Sequence, residues 1–262
     1  MPAPPELPVL ALDTATETIA AGLHAGAADF TLSAPGGALA STQLLPLLRT
    51  LLDRAGLQWR DLRSIAYGQG PGAFTGLRTA CAVAQGLGYG IGCRLLPLDS
   101  LLIVAEDARV QARGQAHATD GFEVAVAMDA RMDEAYAARY RWQGSWQGSW
   151  QGGRWEVLQA PALYTLPALI LAWSAASAPA LVAGSALAAF GPRLALPAGW
   201  QRIEQELDRP AALLRLAHRA AQSGAGVDPA DALPLYLRDK VALTTAERAA
   251  VKALATAPQT LA

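Results

Sequence analysis

The apolar and polar positions of "PVLALDTATETIAAGL" fall into two apolar runs, one closing at Asp13 and one starting at Ile19, separated by a Thr-rich break. Two such runs around a short polar turn predict a β-hairpin. The stretch "FEVAVAMDARMDEAYAARY" has the same plan, with Asp129 closing the first run and Ala135, Tyr136, Ala137 and Ala138 in the second. Laying Asp13 on Asp129, 116 positions apart, also pairs Ala11 with Ala127, Leu12 with Met128 and Glu17 with Asp133. A repeated layout at this spacing predicts two similar α/β halves. Each is a sheet covered by helices, and each opens with a hairpin whose first strand ends in an aspartate.

Helical periodicity over 42–55 and 76–92 flanks a strand-like "SIAYG", and "AALLRLAHRAAQSG" reads as an amphipathic helix stopped by Ser-Gly. Thr244 with Glu247 forms a capping box ahead of a final helix. The polar run "EDARVQARGQAHATDG" places a boundary near 99–120. The chain then divides into a first half at 1–104, a second at 105–208 and a helical segment at 209–262 that packs back on the first half. The second half carries the insert "RWQGSWQGSWQGGRW", 142–155, with a four-residue period. Repeat expansion is tolerated at exposed loop tips, so the insert reads as an enlarged hairpin tip between a strand ending near Tyr140 and one resuming near Trp155. The other reading is an aromatic stacking surface for RNA bases, supported by Arg139, Arg141 and Arg154 nearby.

The glycine-rich "GQGPGAFTGLRTACAVAQGLGYGIG" resembles a phosphate loop until its details are read. It has no lysine for G-x-x-x-x-G-K-[ST], and Pro71 with Gly72 breaks a dinucleotide fingerprint. Every fourth residue onward is small: Gly76, Ala80, Ala84, Gly88 and Gly92. An interior helical glycine costs about 1 kcal/mol relative to alanine, so such a row needs a compensating close contact, internal or with a partner helix. The preceding helix carries Leu44, Leu45, Leu47, Leu48, Leu51 and Leu52, a stripe wider than one sheet face requires. The two helices are therefore expected to form a dimer-type surface through Leu44, Leu45, Leu48, Leu51, Leu52, Gly76, Ala80, Ala84 and Gly88.

Charge narrows the function classes. With 21 Lys and Arg against 22 Asp and Glu the net charge is -1, whereas a chain that grips nucleic acid alone needs a clustered basic excess. RNA contact is therefore expected only through a complex. Two cysteines, Cys81 and Cys93, exclude a disulfide framework and fit a reducing cytoplasm. The N-terminus lacks a signal-peptide pattern and no window reaches about 18 uninterrupted apolar residues, so a cytoplasmic chain with no membrane contact is expected.

A catalyst is hard to find in the sequence. His24, His117 and His218 share no ligand spacing, H-E-x-x-H is absent, and "VAGSALAAF" holds Ser185 without G-x-S-x-G, so Ser185 reads as a turn or cap residue. Asp13 and Asp129, at strand ends facing one cleft, could hold Mg²⁺ and polyphosphate. Equally, each could close an Asx turn. No metal-ligand set stands out.

The segments "LALDTATETIAAGL", "STQLLPLLRTLL", "IAYGQGPGAFTGLRTACAVAQGL", "MDARMDEAYAARY" and "PLYLRDKVA", in that order, resemble the TsaB (YeaZ) family of bacterial tRNA threonylcarbamoyladenosine biosynthesis. The resemblance implies a duplicated actin/hexokinase-like (ribonuclease H-like) α/β fold. It also implies a pseudo-enzyme subunit that heterodimerises with the catalytic subunit TsaD, recruits the ATPase TsaE and homodimerises when alone. The complex transfers a threonylcarbamoyl group to N6 of adenosine 37 in tRNAs reading ANN codons, and tRNA is met only through it. The H-x-x-x-H metal pair of the catalytic homologue falls on Ser100 and Val104 here, neither of which ligates as imidazole does. Asp13, Thr14, Asp129 and Gly184 are then vestigial nucleotide-binding positions, with no cofactor of the chain's own and room only for weak ATP or ADP-Mg binding. Ala40 stands where the family usually has histidine. The alternative is a stand-alone ATP-dependent small-metabolite kinase of the same fold, using Asp13 and Asp129.

Overall fold

A computed structural model describes residues 7–26, 28–112, 121–144, 153–174, 181–197 and 199–238. The first hairpin is β1 (Val9–Asp13) with β2 (Thr18–Ala25), extended antiparallel by β3 (Ala28–Pro35). After α1 (Ala40–Ala55), β4 (Ser64–Gly70) joins β1 in parallel, and after α2 (Phe74–Ile91), β5 (Arg94–Asp99) joins β4 in parallel. α3 (Ser100–Gln111) leads into β6 (Glu123–Asp129), β7 (Glu134–Gly144) and β8 (Gly153–Thr165), an antiparallel meander. α4 (Leu166–Ser174), β9 (Leu181–Ala183), α5 (Ala186–Phe190), β10 (Gln201–Ile203) and α6 (Arg209–Gln222) complete the described elements. The sheets run β3-β2-β1-β4-β5 and β10-β9-β6-β7-β8. Counted within its own half, each has the order 3-2-1-4-5, so the repeat of Asp13 on Asp129 is a repeat of topology.

Strand alternation assigns the core. Leu10, Leu12, Ile19, Ile65 and Tyr67 face α1 and α2, while Val9, Ala11, Ala20 and Ala66 face α6. In the second sheet Val124, Val126, Tyr140 and Trp142 face α3, and Ala125, Ala127, Ala135 and Ala137 face α4 and α5. Both faces of each first strand are buried, which is why "VLAL" and "VAVA" are continuous apolar runs. α3 and α6 pack on each other between the sheets, and Tyr140 donates to Asp99 across the halves at 2.5 Å.

Two expectations change here. The polar run beginning at Glu106, read as a boundary, is the second half of α3, which runs unbroken through position 104; Glu106 is buried with Arg109 as its ion-pair partner, and Asp107 is buried accepting from Gln111 and the backbone N–H groups of Leu207 and Asp208. The hairpin strands are longer than expected, reaching Gly144 and resuming at Gly153, because Trp142 and Trp155 pair across them. The centre of the QGSW repeat and the capping box at Thr244 lie outside the described residues.

Candidate functional site

The ends of β1 and β6 open onto a cleft of about 950 Å³ between the halves. Its walls include Ala15 and Glu17 from the first hairpin turn, Asp129 to Met132 from the second, Ser185, Glu206 and Arg209, and Leu235 to Arg238.

Asp13, expected on this cleft, is fully buried. Its Oδ1 accepts from Arg209 Nε at 3.0 Å and from Ala15 N at 3.2 Å, and its Oδ2 accepts from Ser100 Oγ at 3.2 Å. Arg209 also donates to Glu206 at 2.6 Å. Burial alone would lower the pKa of this guanidinium, but Asp13 and Glu206 outweigh it and raise the pKa, so the cation is permanent. A fixed positive charge thus occupies the first carboxylate. Gly68 makes room for it, since a Cβ there would overlap the Asp13 carboxylate.

Asp129 remains part-exposed. It closes an Asx turn with Arg131 N at 2.8 Å, and its own N–H donates to Ser185 Oγ at 3.1 Å. The turn reading therefore holds for both aspartates, and Ser185 braces the end of β6 with a side chain that makes no helix-cap bond. Thr14 Oγ1 donates to Gly76 O at 2.6 Å, and a Cβ on Gly76 would overlap Thr14 O. The start of α2 is thereby seated on the turn after β1. Gly184 is at φ 120°, and a Cβ there would overlap Ala127 O, so glycine lets the chain pass close to β6 where β9 pairs with it. Of the four positions read as nucleotide-binding, Asp129 alone lines the cleft, while the Asp13 carboxylate and Thr14 are buried and bonded within the chain and Gly184 lies against β6. Ser100 and Val104 are buried in α3.

The expected partner surface needs correction. Leu44, Leu48, Leu51 and Leu52 are fully buried against the first sheet and α2, and the width of the stripe follows from α1 meeting both. Ala80 and Ala84 are in the same core, Gly76 lies on Thr14, and Gly88 meets Leu95 and Pro229. Only Leu45 of that set is exposed, at 45%. The outward row of α2 is instead Ala82, Gly86 and Gly90, and a Cβ at either glycine would touch nothing. Tyr89, 62% exposed, adjoins that row in sequence.

Residues that sequence reasoning missed hold the cleft together. Arg209 is the first residue of α6, and only the need of a buried aspartate for a cation could have pointed to it. Arg238 of "PLYLRDK" donates from Nη2 to Ala130 O at 3.0 Å, Arg131 O at 3.3 Å and Glu134 Oε2 at 2.5 Å. It fastens a turn in which Arg131, Met132 and Asp133 all have positive φ.

The duplicated 3-2-1-4-5 sheets, with a cleft between the ends of their first strands, define a protein of the actin/hexokinase-like class. A family model described as "TsaD: tRNA N6-adenosine threonylcarbamoyltransferase" matches residues 39–147. The Escherichia coli protein named tRNA threonylcarbamoyladenosine biosynthesis protein TsaB is 30% identical over 239 residues, 89% of this chain and 96% of its own. Its Haemophilus influenzae namesake is 32% identical over 130 residues, 50% of this chain and 52% of that protein. The solved structure of YeaZ from Pseudomonas aeruginosa is 33% identical, with a TM-score of 0.72 over 88% of this chain and 100% of that one. The chain belongs to the TsaB (YeaZ) family. Among the described residues no helix is long and apolar enough to cross a membrane, and no group of three or more His, Cys, Asp and Glu is arranged to hold a metal ion.

Proposed function

We propose that this chain is a non-catalytic subunit of tRNA threonylcarbamoyladenosine biosynthesis, required for threonylcarbamoyl transfer to N6 of adenosine 37. It works by pairing with a TsaD-like catalytic subunit and a TsaE-like ATPase. The observation that carries the reading is the Asp13–Arg209 ion pair: a phosphate-binding or Mg²⁺-binding aspartate cannot serve while a buried arginine neutralises it. Family membership supplies the pathway, and the exposed faces of α1 and α2, with Leu45, Ala82, Gly86, Tyr89 and Gly90, supply a surface on which a partner helix can approach closely.

Reconstitution tests this. This chain, its TsaD-like and TsaE-like partners, the adenylate-forming enzyme, threonine, bicarbonate, ATP and unmodified tRNA are combined and each protein is omitted in turn. Product should vanish when this chain alone is left out, and none should form from it without the TsaD-like subunit. Full product in its absence would refute the reading.

The cleft is large enough for a nucleotide, and weak ATP or ADP-Mg binding there is part of the proposal. A Kd for Mg-ATP below about 10 μM, or roughly -7 kcal/mol, would instead favour the kinase reading.

A further inference from the structure

Arg209 lines the cleft with one donor to spare. It is 6% exposed, with Nε on Asp13 and Nη1 on Glu206, while its buried Nη2 makes no hydrogen bond among the described residues. A buried donor left without an acceptor is destabilising, and such groups are rare in folded chains. The acceptor that suits Nη2 is an uncharged one. The guanidinium already faces two carboxylates, Asp13 at 3.0 Å and Glu206 at 2.6 Å, so an incoming phosphate would meet two negative charges. The other arginines of the wall are also met by acids, Arg131 by Asp129 at 3.4 Å and Arg238 by Glu134. Between these pairs the lining is apolar, with Phe74, Leu77, Met128, Met132, Leu207 and Leu235. Met132 and Leu207 are 58% and 74% exposed, which puts two large apolar groups on one rim. Polypeptide fits such a wall, since it carries apolar side chains and neutral main-chain carbonyls together.

The chain has a polypeptide in place. Arg238, bonded to the second hairpin turn, is itself part of the wall, and the described residues end there, so residues 239–262 start at the cleft. In "DKVALTTAERAAVKALATAPQTLA" the helix predicted after Thr244 sets Ala246, Ala249, Ala250, Ala253 and Leu254 on one face, with Arg248 and Lys252 opposite. Alanines keep that face narrow. Pro258 stops the helix, whose last four carbonyls then have no partner within it. The short tether holds the segment near the wall at an effective concentration on the order of millimolar, so a weak contact suffices.

We propose that residues 239–262 dock into the cleft between the halves, with the alanine and leucine face against the apolar wall and a main-chain carbonyl on Arg209 Nη2. The cleft is then occupied by the chain's own segment, which a nucleotide must displace to enter. Docking of this kind does not depend on a role in tRNA modification.

Limited trypsin digestion of the full chain, read by intact mass, tests it. Cleavage after Arg248 and Lys252 should be about tenfold or more slower than in the free synthetic peptide 239–262, because only the undocked segment is cut. Leu207→Asp puts a charge on the rim at an exposed position. It should speed both cuts several-fold and leave the melting temperature close to wild type. Proximity is read separately, by pairing Leu207→Cys in turn with Ala246→Cys, Ala250→Cys and Leu254→Cys under mild oxidation. At least one pair should form an intramolecular disulfide, whereas Gly86→Cys on the outer face of α2 should form none; the native Cys81 and Cys93 are buried. A wild-type segment cut as fast as the free peptide overturns the proposal. So does a protected segment that ignores Leu207→Asp and links to Gly86→Cys, since it then docks elsewhere. If the segment is cut freely and Leu207→Cys is shielded from a maleimide only once Mg-ATP, or only once a TsaD-like subunit, is added, the cleft belongs to that occupant and the proposal falls.

Discussion

At position 68 the absence of one methyl group decides whether Asp13 can keep its partners. Gly68→Ala drives a Cβ into the Asp13 carboxylate, which has nowhere to go because both of its oxygens are engaged. Displacing it breaks a buried ion pair, so a loss of about 3 kcal/mol or more is expected in urea unfolding. Gly86→Ala is the control. It is the same change on an exposed helical site with nothing within reach, and it should raise stability by up to about 1 kcal/mol. Glu106 sets a pH dependence. Burial alone would raise its pKa, but the Arg109 hydrogen bond and the charges of Arg109, Arg219 and Arg215 outweigh it and hold it below the usual value of about 4.3. A carboxylate with a lowered folded pKa contributes stability that is present above that usual value and lost as pH falls through the folded one. Glu106→Gln should therefore be less stable than wild type at neutral pH, and unfolding curves recorded at falling pH should show the two converging in acid.

For α1 and α2 the question is which face each helix spends inside the chain. A small-residue row and a leucine stripe signal close packing without saying against what, and here the answer is the chain's own sheet. Ala84 is fully buried, so Ala84→Trp has no cavity to enter and should abolish folding rather than association. Gly86→Trp changes the outer face of the same helix. It should leave the circular dichroism spectrum and melting temperature close to wild type and eliminate binding to a TsaD-like subunit in calorimetry. Retained binding would place the partner elsewhere.

Across the whole molecule, the segment after α6 spans both halves. It bridges Leu95 through Val227, bonds Gln69 O through Leu235 N, sets Tyr236 against Phe74 with ring centroids 5.0 Å apart and places Arg238 on the second hairpin turn. Three consecutive non-glycine residues with φ between 56° and 64° form that turn. Each costs about 1–2 kcal/mol, and Arg238 compensates by holding two of its carbonyls and Glu134. Arg238→Ala should cost about 1.5–3 kcal/mol and accelerate amide exchange selectively at 130–134. Unchanged exchange there would mean the turn is held without it.

The hairpins, the helices at α1, α2 and α6, and the duplication were legible in the sequence because they are local: an apolar period and a repeated strand-Asp layout need no knowledge of distant residues. The fates of the candidate residues were not. Asp13 meets Arg209 across 196 positions and Glu106 meets Arg219 across 113, and no local pattern encodes such pairings. Polarity alone made "EDARVQ" look like a boundary, yet Glu106 and Asp107 are buried once Arg109, Gln111 and groups brought in from outside α3 satisfy them. Glycine spacing announced close contact, but whether a backbone, a nucleotide or another protein fills the space depends on which surface folds over it. That was decided only when the sheet packed on the helices, because burial and ion pairing belong to the assembled chain and not to any segment of it.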